Sequence, residues 1–228
     1  MKNIFAFLFC ALFVCAQTTD SKNSTLQRES SQTATKKVLV IGASGNIASI
    51  VIDILAKRED IELTLFLRDI GRLKNSREAV KNCKLIESDV FNYEELKAAI
   101  KGQDIVYGNL SGDLGPMAKN IVKAMEETQV NRLIFICSVG IYDTPLKPVL
   151  APYRQAADII EGSKLDYTIL RPTWFIDTDE VDYELTQKGQ AEKGSVVSKK
   201  SVATFITKII ENPQLYIRQS IGINKPKS

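Results

Sequence analysis

The chain contains no histidine. That absence excludes a Ser-His-Asp triad, a Cys-His nucleophile pair and every His-ligated metal site. A large excess of charge of one sign is also missing. Thirty Lys and Arg stand against 27 Asp and Glu, a formal net charge of +3, too small and too evenly spread for a nucleic-acid footprint. Tryptophan occurs once and cysteine four times, with two of the cysteines, Cys10 and Cys15, near the N-terminus. Outside the first sixteen residues no apolar run is long enough to span a bilayer.

What is present is an ordinary globular composition, 44% hydrophobic and 25% charged over 228 residues, enough for one domain with a sizeable core. The N-terminal segment stands apart. Lys2 precedes an apolar run from Ile4 to Val14, and Val14-Cys15-Ala16 offers small residues at a cleavage position, the pattern of a secretory signal peptide over 1–16. Export to the periplasm follows from that reading; a membrane tether or a cytoplasmic location are its alternatives. Val14 before Cys15 is a poor lipoprotein signal, and no twin-arginine pair is present. Residues 17–35, rich in Ser, Thr, Gln and Asn without apolar periodicity, read as a flexible linker to a domain over 36–228.

Within 36–228, seven segments of β character alternate with helical ones. Val38–Ile41 is a continuous apolar run of the kind a strand buried on both faces requires. Helical spacing follows over 46–57, with Ile47, Ile50, Val51, Ile54 and Leu55 on one side. Further strands are expected at Glu62–Leu67, Lys84–Glu87, Ile105–Tyr107, Leu133–Cys137 and Tyr167–Leu170, with a last extended piece at Leu215–Ile223. Helices are expected at 71–80, 93–100, 117–128, 156–162 and 202–211, the second ended by Gly102 and the fourth by a glycine cap at Gly162. This alternation predicts an α/β fold of Rossmann type, a doubly wound parallel sheet in three layers with strand order 3-2-1-4-5-6. Its ligand crevice would lie at the carboxyl ends of the strands, followed by a small C-terminal substrate region. Cys83 and Cys137 are expected on strands too far apart to form a disulfide.

The first strand runs into Gly42-Ala43-Ser44-Gly45-Asn46-Ile47-Ala48. Gly42 permits a tight turn, Gly45 clears space for a phosphate beside the backbone, and Ala48 keeps the next helix close to the sheet. The N–H groups and positive dipole end of that helix then face a pyrophosphate. The spacing is Gly-x-x-Gly-x-x-Ala, and its place between a buried strand and a helix marks it as the phosphate loop of a dinucleotide site. The second strand ends Phe66-Leu67-Arg68-Asp69, with Arg72 a turn further on. An acid at this point would accept bonds from a ribose, whereas cations would clamp a 2′-phosphate. Arg68 and Arg72 therefore favour NADP(H) over NAD(H); the competing reading is a solvated salt bridge to Asp69.

With these motifs the chain resembles an atypical short-chain dehydrogenase/reductase of the NAD(P)H-binding, NmrA-like group, which includes the biliverdin reductase B-like flavin reductases. The resemblance runs from Lys37 to about Asn224 and rests on residues 41–48, 67–69, 87–90, 135–142 and 165–172, the last, Leu165-Asp-Tyr-Thr-Ile-Leu-Arg-Pro172, being the most specific. It implies that Asp89 and Val90 flank an adenine, that Gly108, Asn109 and Leu110 line the middle of the cofactor, and that Arg171, Pro172, Thr173 and Trp174 pass beside the nicotinamide.

The resemblance also exposes a departure. The wider superfamily uses a Tyr-x-x-x-Lys pair with an upstream serine, the lysine lowering the tyrosine's pKa for proton exchange with substrate. Ser138 stands at the serine position, but Arg154 replaces the lysine and Leu150 the tyrosine. A guanidinium cannot relay a proton, although it can hold a ribose or an anion. Tyr142 and Tyr153 are candidate donors lining an acceptor pocket, or else packing aromatics. Trp174 and Phe175 read equally as pocket walls or core. Asp177, Asp179, Glu180 and Asp182 read as a solvated acidic loop, and no metal site is expected.

Two functions fit. One is an NADPH-dependent reductase of a small flat acceptor, quinone- or flavin-like, which takes a hydride from the cofactor and a proton from solvent. The other is a non-catalytic NADP(H)-sensing protein of NmrA type. Sugar-nucleotide chemistry is disfavoured by the missing tyrosine and the short region after Pro172. The expected partner is a small-molecule acceptor, not nucleic acid, and the expected assembly a monomer or homodimer.

Overall fold

The computed structural model describes residues 35–228, so the leader and most of the linker lie outside the described residues. Strand β1 (Lys36–Ile41) divides its side chains by the period of two that a pleated strand imposes. Val38 and Val40 enter one core, Leu39 and Ile41 the other, and all four are fully buried. The two cores are the two faces of a single sheet. On one face pack helices α1 (Asn46–Leu55) and α5 (Lys199–Glu211); on the other pack α2 (Tyr93–Ile100), α3 (Leu114–Thr128) and α4 (Ala151–Glu161).

Beside β1 lie β2 (Ile61–Leu67) and β3 (Lys84–Glu87) on one side, and β4 (Ile105–Gly108), β5 (Arg132–Ile136) and β6 (Asp166–Pro172) on the other. All five contacts among them are parallel, in the order 3-2-1-4-5-6 expected from the alternating pattern. Beyond β6 the sheet continues with β10 (Gln219–Asn224), parallel to it, and closes on β8 (Glu184–Gln187), which runs antiparallel. The sheet thus carries one antiparallel edge strand. Separately, β7 (Trp174–Ile176) and β9 (Val196–Ser198) form a short parallel pair.

Two expectations about elements are corrected. Residues 71–80 form no α-helix: a 3-10 turn spans Ile70–Arg72 and irregular turns follow. Asp69 accepts a hydrogen bond from the Gly71 N–H at 2.8 Å, and the Asn75 amide donates to the Ser49 carbonyl and to Asp53, both at 2.8 Å. Short polar side chains here satisfy turns and neighbours in place of a helix. Gly162 closes α4 as the expected glycine cap, its N–H donating to the Asp158 carbonyl at 3.0 Å. The last strand begins at Gln219, later than Leu215, because Tyr216 and Arg218 occupy left-handed backbone at φ 56° and 55°. Cys83 precedes β3 and Cys137 follows β5, just outside those strands. The first packs against the α1/α5 core and the second lies in the opposite one, and both thiols are free.

Candidate active site

The carboxyl ends of the parallel strands form two neighbouring cavities. The first, of about 190 Å³, lies over β1, β2, β3 and β4. Its floor is the turn after β1. Gly42 adopts φ +80°, and a Cβ there would collide with the Asn109 backbone carbonyl at the end of β4. A Cβ on Gly45 would collide with the Asn109 side-chain amide. Gly42 is therefore demanded by the protein's own backbone, and Gly45 by the neighbouring Asn109 side chain, before any ligand arrives. Gly45 caps α1 in extended conformation with no side-chain cap bond, and the first turn of that helix holds no acid. Its N–H groups and dipole are left for an anion. Ala43 and Ile47 are buried in the core, so they would meet a ligand through their backbone alone.

Arg68, Asp69, Arg72, Asp89 and Val90 line the outer wall, and Ser44, Asn109 and Leu110 the inner one. The Asp69 carboxylate is engaged by the Gly71 N–H, and the carboxylate nearest to Arg68 is Asp89, Nε to Oδ2 3.9 Å. Among the described residues neither arginine pairs with Asp69. Both arginines line the cleft. Two further groups escaped sequence reading. Lys74 donates to the Asn46 side chain at the start of α1, placing a third cation beside the phosphate loop. The Ser88 hydroxyl lines the same cavity, buried and without a hydrogen-bond partner. Glycine floor, uncapped helix end, lining arginines and an orphaned hydroxyl together fit a dinucleotide's adenosine and phosphates.

The second cavity, about 480 Å³, lies over β5 and β6. Ser138, Tyr153, Pro172 and Trp174 line it. So does Leu150, on the 3-10 turn at Pro148–Leu150 that leads into α4. Leu150 therefore presents a hydrocarbon side chain to this cavity. Cys137, at the base, donates its thiol to the Tyr153 carbonyl at 3.6 Å, and burial pushes that thiol well above its usual range.

Tyr142, Arg154 and Arg171 lie elsewhere. The Tyr142 hydroxyl contacts Glu161 at 2.8 Å and Ser220 at 3.1 Å, and its ring lies 5.3 Å from the Arg154 guanidinium, 5.4 Å from that of Arg171 and 4.2 Å from the Lys188 ammonium. Arg154 pairs with Asp158 at 2.7 Å, one helical turn along α4. Arg171 is 4% exposed and pairs with Glu192, which also accepts from Thr186 at 2.6 Å. Burial holds the Tyr142 phenol well above its usual pKa. These three side chains tie α4 to the β8–β10 edge, and none lines either cavity. The acidic loop is paired as well: Asp177 with Lys199 at 2.5 Å, Asp179 with Lys200 at 2.6 Å and Glu180 with Lys225 at 2.8 Å.

The NAD(P)H-binding family matches residues 42–213, from the phosphate loop to the end of α5. The chain belongs to that family. A Rossmann-fold NAD(P)-binding family protein from Shigella flexneri is 46% identical, with TM-score 0.79 over 85% of this chain and 95% of that one. A short-chain dehydrogenase/reductase from Veillonella parvula, solved in complex with NADP, is 27% identical, with TM-score 0.75 over 84% of this chain and 95% of that one. Among curated proteins, an isoflavone reductase homolog from Nicotiana tabacum is 23% identical over 207 residues, 78% of this chain. The chain spans 65% of the length of that relative. Among the described residues no helix is long and apolar enough to cross a membrane.

Proposed function

We propose that this protein is an NADPH-dependent reductase whose acceptor, a small flat molecule of quinone or flavin type, sits in the cavity over β5 and β6. The observation that carries the reading is Leu150. It places hydrocarbon where a carbonyl reductase needs an acid, in a cavity next to a dinucleotide cleft. Reduced nicotinamide supplies a hydride there, and conjugated acceptors take their proton from water, so no positioned tyrosine is required. The residues of this chain hold, orient and enclose. The α1 terminus with Gly42 and Gly45 receives the pyrophosphate, and Ser88, Asp89 and Val90 the adenosine. Arg68 and Arg72 receive a 2′-phosphate, with Lys74 beside them; Ser138 and Pro172 border the nicotinamide end.

Preference for NADPH rests on the two arginines that line the cleft, each able to form charge-assisted bonds to a phosphate. NADPH consumption with a panel of quinones and flavins tests the proposal. Turnover with at least one conjugated acceptor, and a lower KM for NADPH than for NADH, is expected; no consumption across the panel overturns it. The sensing alternative draws on the same missing Tyr-x-x-x-Lys pair and predicts tight cofactor binding without turnover. Export rests on residues 1–16 alone, and the N-terminal sequence of the mature protein from fractionated cells tests it.

A further inference from the structure

The described residues leave six large hydrophobic side chains exposed, and three of them, Val149, Trp174 and Phe175, line the one cavity over β5 and β6. Trp174 is 79% exposed, an unusual state for the largest apolar side chain and the only tryptophan in the sequence. Its backbone, by contrast, is held. The Trp174 N–H donates to the Ser195 carbonyl at 3.1 Å within the β7–β9 pair, and the preceding Thr173 N–H donates to the Ile223 carbonyl of β10 at 3.2 Å. A rigid strand thus presents a wet indole at a cavity whose inner wall is Leu150, Pro172 and Val139. The charged lining groups, Asp143 and Lys147, are both exposed. An aromatic surface of this size, carried on a held backbone and left in water, is a stacking platform awaiting a ring.

We infer that Trp174 is the specificity-determining residue of the acceptor site, selecting conjugated polycyclic acceptors over single-ring ones by stacking on them. This rests on the reading of the cavity as the acceptor site. A polycyclic plane offers the indole and the apolar wall more area to cover than a single ring does. The driving force is the apolar area both surfaces lose to water.

Because Trp174 is the only tryptophan, its fluorescence reports binding without turnover. Riboflavin, a tricyclic probe, and duroquinone, a monocyclic one, are titrated into the full chain, and NADPH oxidation is followed with both. Riboflavin is expected to quench Trp174 with at least roughly tenfold lower Kd than duroquinone. Trp174→Ala should raise the riboflavin KM roughly tenfold with kcat and the NADPH Kd unchanged, and Trp174→Phe should restore most of the loss. Equal affinities for the two probes, no quenching by either, or an unchanged riboflavin KM in Trp174→Ala would overturn the inference. Selective quenching without NADPH oxidation would uphold the platform while removing the reductase reading.

Discussion

In the cleft over β1 to β4 the decisive contacts are backbone: the Gly42 turn meets the Asn109 carbonyl, and the α1 terminus presents bare N–H groups. In the cavity over β5 and β6 they are side chains, with Leu150, Pro172 and Trp174 on its walls. A site made of backbone has one geometry, shared by every ligand with the same phosphates, and a substitution in its floor disturbs the fold. A site walled by side chains changes its ligand without touching the sheet. The difference fits the proposal that this chain keeps a cofactor cleft while presenting Leu150, and not a tyrosine, to the neighbouring cavity.

Substitution in the two regions should therefore have opposite consequences. The largest effect is expected from Gly42→Val, where a branched side chain meets both the positive φ and the Asn109 carbonyl. A loss of about 2–3 kcal/mol in urea unfolding is expected, with NADPH binding weakened more than a hundredfold by calorimetry. An unshifted midpoint would break the comparison from the cofactor side. Next, Arg68→Ala combined with Arg72→Ala should raise the NADPH Kd by roughly 10- to 100-fold while leaving NADH nearly unaffected. Equal losses for both cofactors would mean that the arginines read something other than the 2′-phosphate.

A smaller effect is expected away from both cavities. Tyr142→Phe strips a partner from Glu161 and Ser220 and should cost about 1–2 kcal/mol of stability with acceptor kcat unchanged. Its pH dependence has a definite sign. Burial raises the folded-state pKa of this phenol above the usual 10.0, so the folded protein keeps the proton longer than the unfolded chain. The resulting stability is complete below the unfolded value and is lost as pH climbs above it. Thermal unfolding of the Phe variant should show a shallower alkaline decline than the parent. The smallest effect is expected from Arg154→Lys, which restores the superfamily's lysine. The side chain pairs with Asp158 and lies on the Tyr142 ring, so turnover should stay within about twofold and acquire no new ionisation. A gain in carbonyl reduction would contradict the placement of Arg154 outside the acceptor cavity.

Much of the fold was legible because burial on both faces of a parallel sheet writes itself into apolar runs such as Val38–Ile41, and helices such as α1 carry their apolar stripe openly. The glycine turn after β1 was legible for a related reason, since a glycine forced by backbone crowding is visible as a residue type. The short strands β7, β8 and β9 left no such trace: each has three or four residues, partly exposed, in a segment of mixed polarity. Tyr142, Arg154 and Arg171 mark the other limit. Their types and spacing match a family's site region, but the direction of a side chain is decided by partners distant in sequence, Glu161, Ser220 and Glu192. Lys74 was missed because a lysine in a polar stretch carries no pattern, and Ser88, though inside the 87–90 motif, because burial without a partner is visible only in the structure.

The central claim is that a chain without the usual tyrosine–lysine pair still passes a hydride to a conjugated acceptor. Rapid mixing of NADPH-loaded protein with riboflavin or a quinone, following nicotinamide absorbance through a single turnover, tests it most directly. Oxidation of the bound NADPH in step with acceptor reduction is the predicted result, at a rate that Tyr142→Phe leaves unchanged. Tightly bound NADPH that stays reduced in front of every acceptor would contradict it.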